Sequence, residues 1–79
     1  MSELLKRIEK VIRERIEPLV ELDGATVRVV AVEDESGSIS VELGGAYAGG
    51  PSRDIVLKYV IEPVLFDEFK EIKEVKLSI

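Results

Sequence analysis

Seventy-nine residues, 46% of them hydrophobic and 34% charged, make one small domain (residues 1–79) with a modest core. The chain has no cysteine and no histidine, which excludes disulfides, thiolate or imidazole metal ligands and imidazole bases, and a net charge of −5 with its basic residues dispersed among acids speaks against nucleic acid, which calls for a basic face. No apolar run approaches the ~20 residues that cross a bilayer and no signal-peptide pattern is present, so no membrane partner is expected and the expected compartment is the cytoplasm. Asn, Gln and Trp are also absent and Thr occurs once. That pattern is a hyperthermophile tendency and equally the mark of a designed or reconstructed sequence.

The first segment, Ser2 to about Leu22, predicts a helix capped by Ser2. Leu5, Ile8, Ile12, Ile16 and Leu19 recur at three- and four-residue intervals, widened by Leu4, Val11 and Val20. Pro18 lies inside this pattern and should kink the helix or split off its last turn. Asp23-Gly24 ends it in a turn. A β-branched run from about Thr26 to Val32 reads as a strand. Its valines fall on both faces, which predicts a central position in the sheet. Glu33 to Gly37 is a polar connection, and Ser38 to Leu43 alternates as a second strand with Ile39, Val41 and Leu43 inward, so the two strands form a hairpin.

A Gly-rich loop follows, and then a helix begins near Ser52 with Pro51 or Ser52 at its start. Its apolar stripe is Ile55, Val56, Tyr59, Val60, Val64 and Leu65. Pro63 predicts either a kink or, as the preferred reading, a second short helix with Pro63 in its first turn. Glu74 to Ile79 alternates again and reads as a third strand, reached by a helical crossover and so parallel to one hairpin strand. The expected fold is α+β, a two-layer sandwich in the order helix-strand-strand-helix(-helix)-strand, with a small mixed three-stranded sheet covered by helices.

The loop Leu43 to Ser52 has four glycines in the seven positions from Gly44 to Gly50 and is where chemistry would occur. It fails the phosphate-loop pattern, because Gly49 is followed by Gly50 and Pro51 rather than by Lys and Ser or Thr. Gly49, Ser52 and Arg53 remain a looser candidate anion site at a helix start. The acid pairs Asp34/Glu35 and Asp67/Glu68 sit where solvated surface is expected, and no serine has a histidine partner. No catalytic residue, metal ligand or cofactor is assigned, and an enzyme is not expected.

The run L-G-G-A-Y-A-G-G-P-S resembles the cluster-binding loop G-A-C-x-G-C-P-S of the NifU-like (NifU C-terminal) domain. I-E-P-L-V-E-L-D-G-A is similar to that family's I-R-P-x-L-x-x-D-G-G, and P-S-R-D-I-V-L-K-Y-V-I-E to its P-S-S-x-x-T-L-K-x-G-I-E. Weaker likenesses in the strands extend the resemblance from about Ile8 to Ile79. It implies a scaffold domain for iron–sulfur cluster assembly, in which two subunits each present a cysteine pair. The positions that match those cysteines are Tyr47 and Gly50, so the resemblance implies the fold and assembly-protein partners but not a cluster. The expectation is a cluster-free scaffold or interaction module, degenerate or engineered, as a monomer or weak homodimer. The alternative is a designed or reconstructed α+β scaffold with no biochemical activity.

Overall fold

The structure is a computed structural model that describes residues 3–49 and 52–78, with the side chain of Ser52 left out. The expected caps at Ser2 and Pro51 and the strand end at Ile79 lie outside the described residues. Helix α1 (Glu3–Val11) continues through a π-helical turn (Ile12–Ile16) into α2 (Glu17–Glu21). Strands β1 (Ala25–Glu33) and β2 (Ser38–Gly45) follow. Then come α3 (Ser52–Val56), a second π turn (Leu57–Ile61), α4 (Glu62–Glu68) and β3 (Glu74–Leu77). The sheet order is β1-β2-β3, with β1 antiparallel and β3 parallel to β2. This is the expected mixed sheet under a helical layer.

Neither proline breaks its helix. Proline has no N–H to donate, and its ring crowds the carbonyl four residues back. Each helical run meets this by widening just before the proline. The Glu17 N–H bonds to the Ile12 carbonyl and the Glu62 N–H to the Leu57 carbonyl, both five residues back. Pro18 and Pro63 then fall in the first turns of α2 and α4. The expected start of a helical piece with Pro63 in its first turn is observed, but the piece is joined to α3 through the π turn without a gap.

The π turns also reset which side chains face the core. Residues four apart in an α-helix drift by roughly 40° per step, so a strict four-residue repeat would wind off the face. A π turn rotates less per residue and cancels part of that drift. Ile8, Ile12, Ile16 and Val20 are therefore all buried, as are Leu57, Ile61, Leu65 and Phe69. This corrects the sequence reading in both helices. Leu19 is 52% exposed, and Ile55 and Tyr59 are 59% and 76% exposed. Leu57 and Ile61 take the core positions assigned to them.

The second correction concerns the sheet. β2 is the central strand and β1 an edge. The alternation of the β1 valines breaks because of a β-bulge that keeps Val27, Val29 and Val32 on the core face, not because both faces are covered. Val27 pairs with Leu43 and Val29 with Val41; the register then shifts, Ala31 pairs with Ser40 and Val32 with Ile39. Val30 is the extra residue of the bulge, and it is exposed. The core face of the sheet is Ala25, Val27, Ile39, Val41, Leu43 and Val75, packed on the two helical runs. Gly37, at positive φ in the hairpin turn, accepts from the Lys73 and Glu74 N–H groups at 2.7 and 3.2 Å and so pins the start of β3. The Glu71 carbonyl lies where a Cβ of residue 37 would be.

A glycine-rich candidate site held against a turn

The site is built where the hairpin's open end meets the end of the first helical run. Asp23 and Gly24 close that run, their N–H groups bonding to the carbonyls of Val20 and Glu21 at 3.0 Å each. Leaving this turn, the chain enters β1, and β1 pairs with β2 through its first two residues, Ala25 with Gly45 and Thr26 with Gly44. Gly44 and Gly45 thus belong to the strand rather than to a free loop. Gly45 has φ 63°, and a Cβ there would collide with the Gly24 carbonyl. The Ala46 N–H donates to that same carbonyl at 3.1 Å. Only glycine combines this approach with this backbone conformation.

Beyond Ala46 the loop turns on itself. The Tyr47 N–H bonds to the Gly44 carbonyl at 3.3 Å and the Ala48 N–H to the Gly45 carbonyl at 3.1 Å. The Tyr47 side chain is half-buried against the core, and its hydroxyl donates to the Asp23 carboxylate. That hydrogen bond, with lesser help from burial and from the carboxylate's charge, pushes the phenol above its ordinary pKa of 10. The partnership of residues 23 and 47 has no signature in sequence spacing. It is created by the Ala25 to Gly45 pairing, and the sequence reading gave Asp23 only a turn-forming role.

The other sequence-assigned residues come out as follows. Gly49 is exposed, and among the described residues no atom outside its chain neighbours lies within 4 Å of where a Cβ would stand. Gly50 lies outside the described residues, as does the Ser52 side chain. Arg53 is half-buried, and its Nε is enclosed without a hydrogen-bond partner among the described residues. Asp67 and Glu68 both approach Arg15, at 3.9 and 2.5 Å, and Asp34 and Glu35 are exposed at the hairpin turn. Among the described residues no group of three His, Cys, Asp or Glu side chains converges as a metal site. Iron–sulfur clusters are held mostly by thiolates. The loop offers one phenol, and that phenol is engaged by Asp23, so the donor set does not fit a cluster.

Comparison with known proteins identifies the chain's family. The NifU-like domain matches residues 8–76. The chain is 33% identical over 75 residues to NifU-like protein 4, mitochondrial, of Arabidopsis thaliana, covering 95% of this chain and 26% of that protein. It is 34% identical over 73 residues to the Fe/S biogenesis protein NfuA of Salmonella arizonae, covering 92% and 38%. It is 33% identical over 74 residues to the NifU-like protein, mitochondrial, of Saccharomyces cerevisiae, covering 94% and 29%. The chain therefore spans between a quarter and two fifths of the length of these relatives. Among the described residues no helix is long and apolar enough to cross a membrane.

Proposed function

The chain belongs to the NifU-like family of iron–sulfur cluster biogenesis, and on that premise we propose that it serves cluster assembly as a cluster-free interaction module, which neither ligates a cluster nor catalyses a reaction. One observation carries the reading. The loop position that matches a family ligand holds Tyr47, whose hydroxyl is spent on Asp23, in a chain without a single cysteine or histidine. The sequence match to the NifU-like domain runs over residues 8–76 while the loop carries no thiolate. What such a domain retains is shape, and shape serves recognition of assembly proteins.

The proposal is tested by titrating the isotope-labelled chain with cluster-loaded NfuA, one of its relatives. Saturable amide shifts centred on residues 44–49, with a Kd on the order of micromolar, are expected. No shift at partner concentrations of about a millimolar would remove the interaction role, and would favour a designed or reconstructed scaffold without biochemical activity.

A further inference from the structure

We propose that the Tyr47 hydroxyl and the Asp23 carboxylate form a metal-independent clip that holds the 44–49 loop closed on the 23–24 turn. The inference rests on the reading above only in taking the loop to be free of a cluster. The base of the loop is fixed by backbone, through the Ala46 N–H on the Gly24 carbonyl and the close approach of Gly45. Past Ala46, the backbone bonds of Tyr47 and Ala48 run to Gly44 and Gly45. They tie the tip to the end of β2. Among the described residues, the side-chain ties from the tip to the rest of the molecule are the Tyr47 ring against the core and its hydroxyl on Asp23.

Both ends of the clip are anchored. Asp23 is held by its N–H on the Val20 carbonyl at the end of α2, next to a side chain that is 2% exposed. Tyr47 is held between its own turn and the core. A phenol that donates to a carboxylate makes the stronger, charge-assisted kind of hydrogen bond. The clip aims the phenol at the 23–24 turn through a hydrogen bond that is itself exposed. It presents the loop to a partner in one shape, so little ordering remains to be done on binding.

Amide hydrogen exchange tests the clip on the chain itself, on Tyr47→Phe, on Asp23→Ala and on the double variant. Both single variants are expected to speed exchange at Tyr47 and Ala48 by about tenfold. The β2 amides of residues 39–43 should be unchanged, and the double variant should exchange no faster than the singles. Loop amides unaffected by either substitution would overturn the clip. So would loop and β2 amides accelerated equally, which would reduce the pair to a general contribution to stability. Cluster uptake by the unsubstituted chain, measured separately, would overturn the functional reading and leave the clip standing or falling on its exchange data.

Discussion

Gly45 faces Gly24 so closely that the carbonyl of the turn occupies the place of a side chain on the strand. This one approach joins the end of the first helical run to the start of the glycine-rich loop, and it brings Asp23 within reach of Tyr47. The 23–24 turn and the loop are therefore one structural unit, although nineteen residues lie between Gly24 and Gly44 in sequence.

Glycine is required at only some loop positions. Gly45→Ala meets both a positive φ and a backbone carbonyl, and it is expected to destabilise the fold by about 2 kcal/mol or more. Gly49→Ala meets open space and is expected to change stability by less than about 0.5 kcal/mol. Urea midpoints for the two variants, with unchanged slopes, check the contrast.

The π turns make a similarly sharp distinction in the helices. Ile16→Ala and Ile61→Ala each empty a site with no solvent exposure and should cost about 2–5 kcal/mol. Leu19→Ala and Tyr59→Ala remove side chains that are mostly in water, and should cost less than about 0.5 kcal/mol. A straight α-helical phase would give Leu19 a core value, so chemical denaturation of the four variants tests whether the widened turns set the packing.

Acid should weaken the fold through Glu71. Its carboxyl is held below the ordinary 4.5, first by its own backbone N–H and then by Arg7, while partial burial pulls the other way. Arg7 sits 3.2 Å from that carboxylate and over the Phe69 ring. A lowered folded-state pKa means that the stabilisation is present above the unfolded value and is lost as pH falls through the folded one. Glu71→Gln should flatten the acid limb of a stability-against-pH curve measured by urea denaturation.

Alkali acts through Tyr47 with the opposite sign. Its raised pKa means the stabilisation is present below 10 and is lost as pH rises through the folded-state value. Phenolate absorbance in a Tyr59→Phe background should show Tyr47 titrating above 10, and Asp23→Ala should bring it down.

Much of this was legible in the residues. Alternation at Ile39 to Leu43 gave β2, the polar stretch before it gave the hairpin, and a helical crossover required the parallel β3. The core phase was less legible, because the four-residue spacing Ile8-Ile12-Ile16-Val20 becomes a single face only once Pro18 has opened the helix. The break in alternation in β1 was visible in Val27, Val29 and Val32, but a bulge and a central strand write the same pattern, and only the pairing separates them. The glycine-rich loop was located by composition, whereas the Asp23 to Tyr47 bond depends on strand pairing that no local pattern encodes.

The account is tested most directly by iron and acid-labile sulfide content after anaerobic reconstitution of the chain and of a Tyr47→Cys/Gly50→Cys variant. The unsubstituted chain is expected to retain neither above background, and the variant to take up both with visible absorption. Stoichiometric iron and sulfide on the unsubstituted chain would contradict the claim that this NifU-like domain works without a cluster.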